Sequence, residues 1–432
     1  MKQILILGAG TAGTIMANRL SRLLRRDIAR RKVAITIVDQ DARHLYQPGL
    51  LFIPLGGYTA AQVVRERTKY LPAGVRYIQS PIGRLDAATD TVTLASGEVL
   101  SYDACIVATG SRIAPEETEG MLGEGWRRNV FDFYTLEGST ALATAMRAFT
   151  DGRLVVNIVE MPIKCPVAPL EFAFLADAWF RKRGVRDNVD ITYVTPLDGA
   201  FTKPMCTKAL SHLLTAKGIH LETEFSAGLV DGAAGRLVSW DERSIPFDLL
   251  VTVPAHKGAA FVDRSPGLGD DMGFVRTDPH TLQASVKPNV FALGDATNVP
   301  ASKAGSVAHF EAEVLAPNVV SYLDGRPLAP AFDGHSNCFI ETGHEKALLI
   351  DFNYETEPLP GRFPLAMGPL SLLKESRLNH IGKLAFRHVY WHALLPGYDL
   401  PGVGSQMSWT GKVRPGEPAA ACAGISAANH RD

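Results

Sequence analysis

The alternation of apolar and polar positions along the first forty residues predicts a βαβ unit. Residues 2–8 (KQILILG) form a short apolar run of the kind found in a buried strand, residues 14–26 repeat apolar positions at helical spacing, and residues 33–39 read as a second strand ending on Asp39. The turn between strand and helix is Gly8-Ala9-Gly10-Thr11-Ala12-Gly13, a G-x-G-x-x-G in its proper setting. Glycines at 8, 10 and 13 permit the turn and let a pyrophosphate approach the backbone. The helix N-terminus attracts that anion, and Asp39 can bind ribose hydroxyls. A glycine cluster alone marks only a tight turn, but with a strand before it, a helix after it and an acid on the next strand it marks a dinucleotide site.

The same layout recurs as a strand at 153–160, a loop at 161–166, a helix at 167–183 and a strand at 189–195, which reads as an internal duplication. The second loop is Met161-Pro162-Ile163-Lys164-Cys165-Pro166. It has no glycine, so a second nucleotide is not expected there. The segment YDACIVATGS (102–111), containing Ala108, Thr109 and Gly110, should return the chain beside the first strand. NVFALGDATN (289–298) reads as a strand ending at Gly294-Asp295, followed by a helix in SKAGSVAHFEAEVLAPNVV. Asp295 can bond the ribityl or phosphate part of a flavin, and the following helix N-terminus can face its electron-rich edge. A plain helix-capping acid is the alternative for Asp295. From Pro327 the text turns to proline-rich turns, aromatics and basic helices.

The expected fold class is α/β, with two Rossmann-like dinucleotide-binding domains and a C-terminal membrane- or quinone-associated region. Residues 1–115 and 256–326 would form the FAD-binding domain in two parts, 116–255 a second Rossmann-like domain without the nucleotide fingerprint, and 327–432 the C-terminal region. In composition, 44 Lys and Arg nearly cancel 45 Asp and Glu, so no net field steers the chain to nucleic acid. The N-terminus enters its first strand without a signal-peptide pattern. No apolar stretch reaches the ~18 residues of a membrane span, so any membrane contact would be peripheral. The cysteines (Cys105, Cys165, Cys206, Cys338 and Cys422) show neither CxxC nor zinc spacing, so neither a metal site nor a disulfide framework is expected.

The fingerprint at 8–13, ATG at 108–110 and GDATN at 294–298 together resemble the pyridine-nucleotide-disulfide reductase superfamily. RHLYQP (43–48), KCPVAP (164–169), NVPASKAGSV (298–307), SNCFIETG (336–343) and LLIDFNYETEPLP (348–360) narrow the resemblance to sulfide:quinone oxidoreductases, most of all to the two-cysteine branch with the mitochondrial enzyme. The resemblance runs to about residue 400. It implies FAD, sulfide, a membrane quinone, a small sulfur acceptor, peripheral attachment to a membrane at its cytoplasmic face, and homo-oligomer formation as an option. Because residues 1–104 contain no cysteine, the thioether to FAD found in the flavin subunit of flavocytochrome c sulfide dehydrogenase cannot form there, and the FAD is expected to be noncovalent.

By the same resemblance Cys165 and Cys338 are the redox-active pair, with the persulfide on Cys338 and Cys165 facing the flavin. From the residues themselves, Lys164 and a helix start beside Cys165 should favour its thiolate, and Cys338 in the polar turn SNC should be reachable from a cleft. Glu171 is a candidate proton carrier, with a solvated helix carboxylate as the plain alternative. Lys303 could stabilise negative charge at the flavin edge. Phe339 is the best-placed wall for a quinone, with Tyr354, Phe363 and Tyr390 unranked beside it. Two departures from the pattern stand out: residues 111–160 contain no third cysteine, and Pro166-Val167 replaces the small residues usual after the first redox cysteine.

Two other readings compete. A type II NADH:quinone oxidoreductase would need glycines at 161–166, and a flavin-binding redox sensor would bind FAD without turnover. At the membrane, Leu378, Ile381, Ala385 and Val389 share one helical face, with Lys383 and Arg387 projecting oppositely and Tyr390 and Trp391 as interfacial anchors. Residues 361–432 hold eight Lys/Arg against four Asp/Glu, an excess that anionic lipids would attract.

Overall fold

The computed structural model describes residues 1–413. Its first sheet is parallel, in the strand order Val290–Ala292, Ala104–Val107, Lys2–Leu7, Val33–Asp39 and Arg76–Gln79. ATG thus returns beside the first strand, with Leu7 opposite Val107, and GDATN follows the strand on the far side of it. Ile4, Leu5, Ile6 and Leu7 are all buried, as a central strand covered on both faces requires.

The first helix runs Thr11–Leu23 and is followed by a short one, Arg25–Ala29, rather than spanning 14–26. The early start has a steric cause. A Cβ at Gly13 would fall 1.8 Å from the Gly8 carbonyl oxygen, so the helix begins inside the glycine motif and rests directly on the strand end. It packs against the Gly305–Leu323 helix that follows GDATN.

The second sheet is also parallel, in the order Val130–Phe131, Leu249–Val253, Gly152–Ile158, Val189–Val194 and Ile219–Glu222. With the Ala168–Arg183 helix between its strands, it repeats the first unit as the sequence pattern predicts. The chain passes into and out of this part through Ser111–Ile113 and His256–Gly258, which pair antiparallel.

The C-terminal part is a mixed sheet, Ser336–Gly343, Lys346–Phe352, Leu370–Leu372 and Gly361–Phe363 in spatial order. Its Ser336–Gly343 strand lies along the Ala168–Arg183 helix, and the Arg377–Val389 helix crosses the same sheet. Ser376 caps that last helix, its hydroxyl accepting from the Asn379 N–H at 3.0 Å.

Two expectations for this region need correction. Tyr390 and Trp391 are 1% and 2% exposed, so they are core residues and not interfacial anchors. The chain turns inward after Val389, and both rings pack with His44, Tyr46 and Tyr70 of the first part. Lys383 also turns inward, to the buried Glu171 carboxylate, instead of projecting to solvent. The outward apolar face itself holds: Leu378 is 44%, Ile381 56% and Leu384 40% exposed. Ala385 is exposed with them, and Val389 is half-buried. Among the described residues no helix is long and apolar enough to cross a membrane. Cys422 lies outside the described residues.

A cavity shared by the glycine turn and two thiols

The ends of the first sheet, the loop before the Ala168–Arg183 helix, and the C-terminal sheet with its covering helix enclose one cavity of about 680 Å³. Gly8, Gly10 and Asp39 line one end, Ala108, Thr109, Gly110, Gly294, Asp295 and Lys303 its middle, and Cys165, Glu171, Cys338 and Phe339 the other end. Of the sequence-predicted site residues only Gly13 is set back, and its role is the close packing on Gly8. Tyr354 lies elsewhere, its hydroxyl on the Pro279 carbonyl, whereas Phe363 and Tyr390 do line the cavity.

The glycine turn fits a dinucleotide. Gly8 has φ +94°, and a Cβ there would meet the Ala108 carbonyl oxygen at 2.5 Å, so fold geometry alone requires it. Gly10 and Gly110 face open space, with no atom within 4 Å of an added Cβ. At Gly10 smallness therefore serves whatever fills the cavity, whereas Gly110, at φ +67°, also needs glycine for its backbone. Beside them the hydroxyls of Thr109 and Ser111 are buried without a partner in the protein. The Gly305–Leu323 helix starts at the cavity wall, its first N–H groups uncapped by any side chain. Asp295 is thus no helix cap.

Asp39 supports the turn as well as facing the cavity. Its carboxylate accepts from the Ala9 N–H at 2.7 Å and the Asp41 N–H at 2.9 Å, which leaves acceptor capacity for ribose hydroxyls. Arg67, which the sequence gave no reason to choose, braces the same loop from below. It pairs with Asp39 at 3.3 Å and donates to the carbonyls of Ala9, Asp41 and Arg43. Tyr390 adds a second brace, its hydroxyl 2.7 Å from both Thr11 Oγ1 and His44 Nε2. An arginine and a tyrosine far from the fingerprint carry no local motif, so only the fold brings them there.

Lys303 lines the cavity but is held back from it. Its ammonium donates to the carbonyls of Asp295, at 3.3 Å, and Thr297, at 2.5 Å. Burial lowers its pKa, and the Asp295 and Glu311 carboxylates work against that. Burial likewise raises the Asp295 carboxyl, opposed by Lys303 and Lys164. Lys303 and Asp295 thus oppose each other's burial under the middle of the cavity.

Cys165 and Cys338 are free thiols that line the same cavity from different elements. Cys165 sits at φ +49°, its N–H donating to the Lys303 carbonyl at 2.7 Å. Cys338 is not in a turn but in the Ser336–Gly343 strand, opposite Ile350. The expected Cys165 thiolate is also corrected. The helix begins only at Ala168, and burial pushes the Cys165 thiol up to about 12, helped by the Glu171 carboxylate and opposed by Lys383. Burial raises the Cys338 thiol too. Cys105 is fully buried in its strand, as expected of a core residue.

Glu171 is no solvated helix carboxylate, being 0% exposed. One oxygen accepts from the Glu341 N–H at 2.8 Å and pairs with the Lys383 ammonium at 2.8 Å, while Oε2 has no partner. Burial raises its pKa against the pull of Lys383. Lys383 also donates to the Phe339 carbonyl at 3.1 Å. Phe339 lies against Gly382, where a Cβ would meet its ring at 3.0 Å, so the helix can carry only glycine there without moving the ring. With Phe363, Leu370 and Phe386 it gives this end of the cavity an apolar wall.

Residues 2–156 match the family model of pyridine nucleotide-disulphide oxidoreductases. The chain is 27% identical over 406 residues to the mitochondrial sulfide:quinone oxidoreductase of Mus musculus, covering 92% of this chain and 87% of that protein. It is 26% identical over 411 residues to the mitochondrial sulfide:quinone oxidoreductase of Schizosaccharomyces pombe, covering 90% and 89%. The solved structure of the sulfide:quinone oxidoreductase from the hyperthermophilic bacterium Aquifex aeolicus superposes with a TM-score of 0.76 at 17% identity, covering 92% of both chains. The chain is therefore similar along nearly its whole length to sulfide:quinone oxidoreductases.

Proposed function

We propose that the protein is a flavoenzyme that oxidises sulfide to sulfane sulfur and passes the electrons to a membrane quinone. The observation that carries this reading is that Cys165 and Cys338 share one cavity with the glycine turn and with an apolar wall of quinone-sized aromatics. The FAD would be held noncovalently by Gly8, Gly10, Asp39, the 108–110 segment, Asp295 and the N-terminus of the Gly305–Leu323 helix. It supplies the two-electron acceptor between thiol and quinone chemistry.

The side chains divide the remaining work. In the oxidised form of the pair, hydrosulfide would attack a Cys165–Cys338 bridge, whose S–S bond breaks, leaving a persulfide on Cys338 and a thiolate on Cys165. In these buried surroundings Cys165 takes a proton, so regenerating its nucleophile needs a base. Glu171, which lines the same cavity and has one buried oxygen without a partner, is that base. Lys383 stabilises its charged form and helps to draw Cys165 toward thiolate. A small sulfur acceptor then removes the outer sulfur of Cys338, and the bridge would re-form as the two thiols give up two electrons and their protons, with bound FAD as the electron acceptor.

Quinone lies against Phe339, Phe363 and Phe386. The exposed Leu378, Ile381 and Leu384 face rests in the membrane surface that supplies it. The second loop has no glycine, and Cys165 occupies its positive-φ position, so no nicotinamide site competes. The test is purified protein with sulfide and a soluble quinone analogue, with NADH as the control. Sulfide-dependent quinone reduction with negligible NADH oxidation supports the reading, and the reverse pattern replaces it with a dehydrogenase.

A further inference from the structure

Sulfide oxidation by quinone has an awkward proton balance for a closed cavity. HS⁻ loses one proton and two electrons to become sulfane sulfur, whereas quinone takes up two electrons and two protons. Each turnover, HS⁻ + Q + H⁺ → S⁰ + QH₂, therefore draws one proton from solvent and moves another from the sulfur side to the quinone side. Glu171 is 0% exposed and cannot exchange with water by itself.

The elements around it hold a second acid pointing outward. Glu341, also 0% exposed, lies on the Ser336–Gly343 strand, and its own N–H donates to the Glu171 carboxylate at 2.8 Å. Both oxygens of the Glu341 carboxylate lie 2.9 Å from His380 Nδ1. His380 belongs to the Arg377–Val389 helix, one turn before Lys383, and 21% of its side chain is exposed. The charged groups facing Glu341 are His380 and Lys383 from that helix and Glu171 from the Ala168–Arg183 helix. Of these two buried carboxylates only Glu171 is paired directly with the Lys383 ammonium, an arrangement in which the second carboxylate readily keeps a proton. Burial pushes Glu341 up to about 7, with His380 opposing, so it can release and recover that proton near neutrality.

We infer that His380, Glu341, Lys383 and Glu171 form the proton route between solvent and the thiol and quinone end of the cavity, with His380 as its entry. The inference rests on the function proposed above. His380 takes a proton from water and hands it to the Glu341 carboxylate. From there it passes, by a swing of the Lys383 ammonium or one bridging water, to Glu171 Oε2, which is buried without a protein partner. His380 and Glu341 touch no reacting atom and act through Glu171. They are proton-relay and positioning residues and not catalytic ones.

The experiment compares the FAD-loaded wild type with His380→Ala and Glu341→Gln in sulfide-dependent reduction of a soluble quinone analogue. It follows turnover across the pH range, in H₂O and D₂O, and with added imidazole. His380 is partly exposed, so His380→Ala should keep its fold and flavin content. The expected result is a fall in kcat of about 100-fold in each variant with KM for the quinone little changed. The solvent isotope effect should grow, and imidazole should restore the His380→Ala rate in proportion to the concentration of its protonated form, which is the form that donates a proton inward. A purely structural role would give no rescue and no larger isotope effect. Wild-type turnover that both variants retain, or lost turnover that imidazole never restores in folded, flavin-loaded His380→Ala, overturns the route. Failure of the wild type to reduce quinone with sulfide overturns the underlying function instead.

Discussion

At the scale of single residues, the site depends on partnerships between buried charges. Lys383, largely buried, is paired with the fully buried Glu171, and leaving one half of such a pair unpartnered costs about 3–5 kcal/mol. Lys383→Met should therefore destabilise the protein, and the loss should depend on pH in a defined sense. Without its ammonium, Glu171 has its folded-state pKa raised further above the unfolded value of about 4.3, so it contributes stability below that value and loses it as pH rises through the folded pKa. Thermal unfolding of Lys383→Met and wild type should differ little at about pH 5 and most at about pH 8. An equal difference at both ends would mean that Glu171 is not the group left unpaired. None of these partners was legible in the sequence. Glu171 could be chosen from its place after Cys165, but its burial, its unpartnered oxygen and its contact with Lys383 arise from elements that meet only on folding. The expected Cys165 thiolate failed for the same reason, because local charge at Lys164 was visible in the sequence and enclosure was not.

At the scale of elements, the glycine turn separates what the fold requires from what a ligand requires. Gly13 has the Gly8 carbonyl 1.8 Å from where its Cβ would lie, while Gly10 has nothing within 4 Å. Gly13→Ala should thus lower the melting temperature of the apoprotein and its yield. Gly10→Ala should melt as the wild-type apoprotein does, yet lose FAD affinity, because the methyl group enters space meant for the ligand. Flavin retention and differential scanning fluorimetry on both variants check this, and an unchanged FAD content in Gly10→Ala would remove the turn from the cofactor site. This element was readable because βαβ periodicity and glycine spacing are local properties. The duplicated unit at 152–194 was readable on the same ground. The Arg377–Val389 helix was only half so. Its outward face at Leu378 and Ile381 follows from helical spacing, but the same spacing placed Lys383 outside, and nothing local signals that a buried carboxylate awaits it.

At the scale of the whole molecule, the cavity opens between three layers, and the covering helix both closes it and presents apolar residues outward. If that face holds the protein at a bilayer, Leu378→Glu with Ile381→Glu should release it from anionic vesicles more fully than added salt does, since salt screens only the charged part of the attraction. The flavin spectrum should survive, because both residues are exposed. Cosedimentation of the double variant with vesicles would exclude this face as the anchor. The central claim is that Cys165 and Cys338 act as one exchange unit between sulfide and the flavin. The most direct measurement mixes anaerobic protein with sulfide in a stopped-flow instrument and follows the yellow flavin absorbance for wild type, Cys165→Ser, Cys338→Ser and the double variant. The account predicts rapid bleaching in the wild type, none in either single variant, and no further loss in the double variant. Bleaching at the wild-type rate in either single variant would contradict it.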